Sequence, residues 1–276
     1  MKKAVICKSI ASLNLNPCLD SEMADEVLHG MVVEILESKD DPWMKIRTSY
    51  DYVGYVHKND MILDDDAASA WENEKYIVWY LLADVMSGPN YQSSVIATLV
   101  RGCVIKYTGV FEGKWEQVGL ADGSFGWIRK GFCRFVERLS TRTDEERLRA
   151  NIVSAAMDYL GTQYRWGGKS HFGIDCSGLA GMAYMVNGYV IPRDGGPQEK
   201  YLKPIKREDI KPADLIFFPG HVALYIGDGK YVHSTGREGY TLVNSLDKDS
   251  AVYREDLDKG ITSICTLFGI DFSQVR

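Results

Sequence analysis

The sequence has no long apolar run, no surplus of basic residues and no closely paired cysteines. Apolar residues make up 45% of its 276 positions. No stretch of them approaches the roughly 18 that a membrane-spanning helix needs. The net charge of −6 is the opposite of what a protein needs to replace the counterions of nucleic acid. The composition therefore argues against a membrane span and against nucleic acid as a partner.

A recognisable export signal is also missing. Lys2 and Lys3 precede a short apolar stretch, but Cys7 and Lys8 interrupt it, and no small-residue cleavage site follows. We therefore expect a cytoplasmic protein. A secreted or periplasmic location stays the alternative, if a signal peptide was removed from a longer precursor.

The six cysteines contain no CxxC pair, which argues against a zinc site or a redox pair, so we expect no metal and no other cofactor. Scattered cysteines in a chain of this length are typical of buried thiols in a reducing compartment. We apply that interpretation to five of them, namely Cys7, Cys18, Cys103, Cys133 and Cys265. Cys176 differs from these in its sequence surroundings.

A repeat at a fixed offset of 72 residues organises the first half of the chain. The paired positions are Gly30 with Gly102, Trp43 with Trp115, Gly54 with Gly126, Tyr55 with Trp127, and Lys58 with Lys130. Around them apolar and polar residues alternate, as they do in short β-strands. We predict two small all-β domains, residues 1–66 and 67–139, joined near the acidic run at residues 64–66.

The composition changes near residue 140. Thr143 opens a capping box that predicts a helix from there to about Leu160, and a second helix is predicted over residues 176–187. Strands are predicted at residues 214–218, 222–226 and 230–234. Helices followed by antiparallel strands predict an α+β domain over residues 140–276.

Cys176 stands where a loop enters the second predicted helix. Backbone N–H groups at a helix N-terminus favour a thiolate, whereas a thiol with a pKa near ~8.5 is only a few per cent ionised at neutral pH. A helix terminus alone rarely lowers the pKa far enough, so a nearby imidazole is needed. Among five histidines, His221 and His233 lie on adjacent predicted strands. This pattern suits a nucleophile, a base and a residue that orients the base.

The hairpin between His221 and His233 must satisfy a geometric condition. Facing residues of an antiparallel pair share one side of the sheet, and successive residues alternate between sides. A strict two-residue turn at residues 228–229 would put the two imidazoles on opposite sides. We therefore predict a three- or five-residue loop centred on Asp228, or a bulge, that brings both imidazoles to the side of Cys176.

Four segments carry a family resemblance. They are Tyr164-x-Trp166-Gly167-Gly168, Asp175-Cys176-Ser177-Gly178, residues 221–227 (HVALYIG) and residues 231–234 (YVHS). In this order they resemble the NlpC family of papain-like cell-wall cysteine peptidases. The resemblance implies Cys176 as nucleophile, His221 as base and His233 as the residue that orients the base. It also implies a set of side chains around the substrate, namely Tyr164, Trp166, Asp175, Ser177, Arg193 and Asp194.

The repeat narrows this resemblance. Each copy has a Trp followed by Gly-[Tyr/Trp]-[Val/Ile], which resembles bacterial SH3-like barrels. The expected fold is therefore an α+β, papain-like catalytic domain preceded by two small all-β SH3-like barrels. The whole chain is similar to γ-D-glutamyl-L-diamino acid endopeptidases of murein-peptide recycling. That similarity implies cleavage after D-Glu in short peptides beginning L-Ala-γ-D-Glu, with L-Lys or diaminopimelate as the next residue.

The same similarity implies that the L-Ala amine must be free, because the first barrel of those enzymes closes the site beyond it. An ammonium group removed from water needs a carboxylate partner, which Asp194 or Glu22 could supply. Tyr52 corresponds through the repeat to Ser124, so only the first copy has a tyrosine there. We expect Glu22 and Tyr52 to contribute to substrate binding, and ordinary barrel surface is the alternative.

Two other functions stay open on the sequence alone. A non-enzymatic wall-binding protein would use the SH3-like pair, but it would have no need of one cysteine and both histidines together. The same catalytic residues could also serve an amidase or acyltransferase that acts on intact peptidoglycan or on another amide. A thioester is resolved by whichever nucleophile enters, so the residues alone do not decide between these reactions.

Overall fold

The 72-residue repeat folds into two antiparallel seven-stranded sheets. The computed structural model describes residues 2–38 and 42–270, and both sheets lie in the first of two compact units, Met1–Val136. The strands of the first sheet are β1 (Lys3–Ile6), β2 (Ile10–Asn14), β3 (Met23–Leu28), β4 (Val32–Ser38), β5 (Trp43–Arg47), β6 (Val53–His57) and β7 (Met61–Ile62). Those of the second are β8 (Tyr76–Val78), β9 (Leu82–Met86), β10 (Val95–Val100), β11 (Val104–Glu112), β12 (Trp115–Gly119), β13 (Phe125–Arg129) and β14 (Cys133–Phe135).

The two sheets share one topology. Their strand orders are β3-β2-β6-β5-β4-β1-β7 and β10-β9-β13-β12-β11-β8-β14, so equivalent strands occupy equivalent places. Six of the seven strand pairs begin 72 residues apart. Gly30 and Gly102 have φ of +77° and +88°, and their N–H groups bond to the equivalent carbonyls of Ile6 and Val78 at 2.8 and 2.9 Å. The predicted repeat is confirmed in the backbone.

A helix connects the two sheets. α1 (Asp65–Trp71) begins in the acidic run, where Asp64 Oδ1 accepts from two following backbone N–H groups at 2.8 and 3.0 Å. The predicted junction is therefore a helix N-cap. Trp71, the last residue of the helix, packs with Val5 of the first sheet and with Ala121, in the turn between β12 and β13.

His29 also joins the sheets. Its Nδ1 lies 2.8 Å from Val104 O, and its Nε2 accepts from the Ala121 N–H at 3.0 Å. A neutral ring with its proton on Nδ1 satisfies both bonds, because a carbonyl oxygen only accepts and a backbone N–H only donates. His29 is buried, and burial lowers its pKa.

The second unit, Glu137–Arg276, has the predicted α+β composition. Its helices are α2 (Glu145–Met157), α3 (Cys176–Met185), α4 (Gly195–Tyr201) and α5 (Glu255–Lys259). A small hairpin pairs β15 (Lys169–Ser170) with β16 (Gly173–Ile174). An antiparallel six-stranded sheet has the order β17-β22-β18-β19-β20-β21. Its strands are β17 (Lys203–Ile205), β18 (Leu215–Phe218), β19 (His221–Gly227), β20 (Lys230–Thr235), β21 (Tyr240–Ser245) and β22 (Ser263–Thr266).

The helix ends differ from the predicted ones. The N-cap of α2 is Asp144 rather than Thr143, whose hydroxyl donates to Asp144 Oδ2 at 3.0 Å. α2 ends at Met157 and α3 at Met185, earlier than predicted. The predicted strands are confirmed as β18, β19 and β20, with ends displaced by one residue at most. None of the described helices is long and apolar enough to cross a membrane.

A buried arginine ties α2 to the six-stranded sheet. Arg149 donates to Glu145 Oε1 and Asp214 Oδ1, both at 2.8 Å, and to Pro212 O at 2.6 Å. A guanidinium can be buried only where such partners replace water. The network fixes the chain just before β18, which pairs directly with the strand that begins at His221.

All six cysteines are free thiols. Cys103, Cys133 and Cys265 are buried, as predicted. The prediction of burial is wrong for Cys18, which is exposed in the loop between β2 and β3, and for Cys7, which is partly exposed directly after β1. Both lie outside the strands, and Cys7 is partly covered by the cluster of Val5, Trp71 and Ala121.

Candidate active site

Cys176 is the first residue of α3, and Asp175 is its N-cap. Asp175 Oδ1 accepts from the Gly178 N–H at 2.7 Å, which satisfies one of the unpaired donors of the first turn. A Cβ at Gly178 would lie 2.3 Å from Gly168 O, so only glycine permits this close approach of two backbone segments. The local sequence therefore fixes the position of the cysteine at the helix start.

Arg193 meets this helix start from a separate loop. Its Nη1 and Nη2 donate to Asp175 Oδ1 and Oδ2 at 3.0 and 2.8 Å, and Nη1 also donates to Ser177 Oγ at 2.8 Å. The exposed fractions of Asp175 and Arg193 are only 6% and 5%. The structure thus brings three of the predicted substrate residues together, bonded to one another in a buried network beside Cys176.

Gln198, which sequence reasoning left without a role, holds the Arg193 loop in place. Its Nε2 lies 3.0 Å from both Ser177 O and Pro192 O, and its side chain is fully buried. The amide therefore bridges α3 and the loop that carries Arg193. Its position in the segment Pro192-Arg193-Asp194-x-x-x-Gln198 was the available signal in the sequence.

The two histidines lie on one side of the sheet. Leu224 faces Val232, but the register shifts by one residue before Gly227, which marks a bulge in β19. Asp228 and Gly229 both have positive φ, +50° and +68°, as a two-residue type I′ turn requires. The turn alone would separate the imidazoles, and the bulge reverses that effect. Of the predicted alternatives, the bulge is confirmed, whereas the three- or five-residue loop is wrong, because the turn has two residues.

The imidazoles are hydrogen bonded to each other. His221 Nε2 lies 2.7 Å from His233 Nδ1, and His233 Nε2 lies 2.9 Å from Asn244 Oδ1. The backbone N–H of Val222, the residue after His221, bonds to the Cys176 thiol. The structure therefore brings Cys176, His221 and His233 together, and it adds Asn244, which sequence reasoning missed.

Burial controls the protonation of the pair. Burial and then the Asp175 carboxylate raise the pKa of the Cys176 thiol to about 11, although nearby backbone N–H groups act in the opposite direction. Burial, followed by His233 and Arg254, lowers the pKa of His221 to about 3. At neutral pH the thiol keeps its proton and His221 is neutral. The helix terminus therefore does not by itself make the thiolate abundant.

Tyr164 lies near the same helix start. Burial, and then the nearby Cys176 and Asp175, raise the pKa of Tyr164 to about 12, so its hydroxyl keeps its proton and can donate. Trp166 is 61% exposed. Asp194 is half-buried at the N-cap position of α4.

Glu22 and Tyr52 lie in the first sheet and its loops. Glu22 is exposed just before β3, whereas Tyr52 is half-buried against the hydrophobic core of that sheet. Two other acidic residues of this region, Asp25 and Glu26, are fully buried on β3, and the Tyr50 hydroxyl donates to Asp25 Oδ2 at 2.5 Å. The burial of Asp25 and Glu26 was not predicted from the sequence, although two acidic residues inside an otherwise apolar strand were a visible signal.

Metal ligands do not cluster in the part of the chain that the structure describes. Within residues 2–38 and 42–270, no group of three or more His, Cys, Asp and Glu side chains could hold a metal ion.

Comparisons with known proteins find related families and relatives. The NlpC/P60 family matches residues 161–255, and the bacterial dipeptidyl-peptidase Sh3 domain matches residues 16–61. Dipeptidyl-peptidase 6 of Lysinibacillus sphaericus is 40% identical over 271 residues, which cover 96% of this chain and 99% of that protein. A γ-D-glutamyl-L-lysine dipeptidyl-peptidase of Bacillus cereus ATCC 10987 is 26% identical, over 79% of this chain and 69% of that protein.

A solved structure shows the same fold. The crystal structure of an NlpC/P60 family protein from Bacillus cereus ATCC 10987 has a TM-score of 0.79 with this chain at 21% identity. The match covers 96% of this chain and 99% of that one. At this level of identity the similarity concerns the fold.

Proposed function

The chain belongs to the NlpC/P60 family of cysteine peptidases, and from that premise we propose that it hydrolyses the γ-D-glutamyl–diamino acid bond of murein peptides with a free N-terminal L-Ala. The observation that carries the proposal is the 2.7 Å bond between His221 and His233 beside a cysteine at a helix start. The relative that is 40% identical over nearly its whole length is named a dipeptidyl-peptidase, which supports release of a dipeptide. The name of the Bacillus cereus relative, a γ-D-glutamyl-L-lysine dipeptidyl-peptidase, supports the bond specificity.

The residues have distinct roles in this reaction. His221 Nδ1 takes the proton of the Cys176 thiol as the sulfur attacks the γ-carbonyl carbon of D-Glu. The resulting tetrahedral intermediate collapses to a thioester, and His221 gives the proton to the amine of the leaving diamino acid. His221 then takes a proton from water, whose oxygen attacks the thioester. The dipeptide L-Ala–D-Glu leaves, and Cys176 regains its proton.

The residues around the helix start are proposed to bind the peptide in two ways. Tyr164 and Trp166 contact it, through a hydroxyl that stays protonated and a ring that is exposed. The wall of the pocket is formed by Asp175, Ser177 and Arg193. Their bonds to one another also hold Cys176 in position. Asp194 supplies negative charge for the substrate ammonium group.

Domain organisation and cellular role complete the proposal. We take both seven-stranded sheets to be SH3-like domains, residues 1–66 and 67–139, followed by the catalytic domain at 140–276, and their common strand order supports this. A free L-Ala amine is what a stem peptide has once it is detached from glycan, so recycling of released peptides is the matching role. The free thiols fit the reducing cytoplasm predicted from the sequence.

The test compares free and N-acetylated L-Ala-γ-D-Glu-L-Lys, together with the diaminopimelate pair. Acetylation removes the charge of the amine, and loss of one partner of a desolvated ion pair typically costs about 2–5 kcal/mol. We therefore expect kcat/KM to fall by about 30- to 4000-fold. Equal values for the two peptides would contradict the proposal and favour a general wall hydrolase.

A further inference from the structure

Asn244 has a fixed orientation beside His233. Its Nδ2 donates to Val252 O at 2.9 Å, and its Oδ1 lies 2.9 Å from His233 Nε2. A carbonyl oxygen can only accept, so the amide must turn its NH₂ toward Val252 and its oxygen toward the imidazole. Asn244 is 6% exposed and His233 1% exposed, so water is a poor substitute for either partner.

This orientation determines the protons of both histidines. Because Asn244 Oδ1 accepts, His233 must carry a proton on Nε2, and a neutral His233 then has a bare Nδ1. His221 Nε2, 2.7 Å from that atom, must therefore be the donor. A neutral His221 with its proton on Nε2 has a bare Nδ1, and this is the nitrogen that can take the thiol proton.

The sheet explains why this arrangement is stable. Asn244 faces Tyr231 across β21 and β20, so Asn244 and His233 lie on the same side of the sheet. The Ser245 N–H also donates to Val252 O at 3.1 Å, which fixes the carbonyl from a second direction. Both bonds come from neighbouring residues of one strand, so the carbonyl does not depend on Asn244 alone for its position.

We propose that Asn244 is a positioning residue that sets the tautomers of His233 and His221, with the backbone carbonyl of Val252 fixing the direction of the whole chain of hydrogen bonds. The inference rests on the proposed function for its catalytic consequence, and on hydrogen-bond chemistry alone for the tautomers. An amide accepts the Nε2 proton without adding charge, so it fixes the proton while stabilising an imidazolium less than a carboxylate would.

The charged neighbours of the histidines affect only their pKa. Burial lowers the pKa of both His221 and His233, and Arg254 acts in the same direction, whereas the Asn244 hydrogen bond and then Glu238 raise the pKa of His233. Arg254 and Glu238 are themselves paired at 2.8 Å. These two residues change how readily the imidazoles take a further proton, whereas Asn244 also decides which nitrogen carries the proton already present.

The experiment is ¹⁵N NMR of the imidazole nitrogens in the full chain without peptide, at neutral pH. We expect Nε2 to be protonated in both His221 and His233. His29 provides an internal reference of the opposite kind, because its Nδ1 must donate to Val104 O. Only five histidines need assignment. A wild-type spectrum with the proton of His221 on Nδ1 would overturn the inference whatever the substrate is.

Two variants connect the tautomers to turnover. Asn244→Leu removes the acceptor at similar volume, so we expect mixed tautomers of His233 and a fall in kcat of about 100-fold, with KM changed by less than about threefold. Asn244→Asp keeps an acceptor, so the tautomers should persist and kcat should stay within about tenfold of wild type. If Asn244→Leu fails to fold, the wild-type spectrum and the Asp variant still decide.

The two kinds of failure are distinguishable. Protons on Nε2 of both His221 and His233 in a protein that does not cleave the peptide would contradict the proposed function and leave the hydrogen-bond assignment intact. Unchanged tautomers and unchanged kcat in Asn244→Leu would instead sink the assignment and leave the peptidase in place.

Discussion

Buried polar side chains have different tasks in the two units of this protein. In the unit Glu137–Arg276 two networks of them lie at the candidate site, where one holds the start of α3 and the other continues from His221 to Asn244. In the unit Met1–Val136 they join one backbone segment to another, as His29 does between the two sheets, and Arg149 has such a structural task in the second unit. The comparison predicts that substitutions in the two site networks change turnover, whereas substitution of His29 changes stability.

The repeat within the first unit shows that side chains at equivalent positions can have different roles. His29 corresponds to Arg101 at the 72-residue offset. Arg101 is also buried, but its Nε donates to Trp79 O at 2.6 Å, inside its own sheet. Equal strand order and equal backbone hydrogen bonds therefore do not imply equal side-chain roles.

The largest effect is expected at Cys176. Cys176→Ala should lower kcat by at least about 1000-fold, because the nucleophile is lost while binding groups remain. The free energy of unfolding should change by less than about 1 kcal/mol, since a small residue is acceptable at a helix start. Turnover of the peptide and chemical unfolding measure the two quantities.

Cys18→Ala provides the matched control, because Cys18 is the exposed cysteine of the first unit. It should leave kcat unchanged, and iodoacetamide should still inactivate it by labelling Cys176. Wild-type turnover in Cys176→Ala, or inactivation by labelling of another cysteine, would contradict the role of Cys176 as nucleophile.

Asp194 and Tyr52 compare the two units at substrate binding. Asp194→Ala should lower kcat/KM for the free peptide by about 30-fold or more, because a buried ammonium group would lose its counter-charge. Tyr52→Phe removes one hydroxyl, worth about 0.5–1.5 kcal/mol at most, so the loss should stay below about 12-fold. Glu22→Gln, at an exposed position, should change kcat/KM by less than about fivefold.

Asp194→Asn is the control that separates charge from shape. It should resemble Asp194→Ala for the free peptide, and neither variant should further impair the N-acetylated one. A larger loss for Tyr52→Phe than for Asp194→Ala would show that the first unit, rather than the second, recognises the amine.

His29 tests the stability side of the comparison. His29→Ala should lower the free energy of unfolding by about 1–3 kcal/mol, because the Ala121 N–H loses its acceptor inside the unit. kcat should not change. Burial lowers the folded pKa of His29, so its contribution is fully present above the unfolded pKa of about 6.5 and is lost as pH falls toward the folded value.

The difference in unfolding free energy between wild type and His29→Ala should therefore shrink below about pH 6.5. His57 serves as the matched histidine, since its Nδ1 accepts from Asn59 only two residues away. His57→Ala should lower the free energy of unfolding by less than His29→Ala does, because the His57 bond is local. A constant difference for His29→Ala down to pH 5 would mean that its ring is not held neutral between the sheets.

The sequence was sufficient for features that depend on local spacing. The repeat followed from glycines and tryptophans at one offset, and the bulge before Asp228 followed from the need for two histidines on one side of a hairpin. Asn244 could not be found this way, because it reaches His233 only through the pairing of β21 with β20. The raised pKa of Cys176 could not be predicted from the sequence either, because burial depends on tertiary packing.

The smallest expected effect concerns the pH dependence of kcat/KM. Burial lowers the pKa of both His221 and His233, so the acid limb should lie below the ordinary value of 6.5. Between pH 6 and 7.5 kcat/KM should change by less than about twofold.

The pKa of the Cys176 thiol, which burial raises to about 11, should not limit the rate on the alkaline side before the substrate amine does. That amine titrates near ~8, so kcat/KM for the free peptide should fall above that pH. The N-acetylated peptide has no such group, and its low residual rate should stay level to about pH 9. A common alkaline limb for both peptides would assign the titration to the enzyme and contradict the raised thiol pKa. His29→Ala should reproduce the wild-type profile while its stability curve differs, because the first unit determines stability in acid without setting the chemistry of the second.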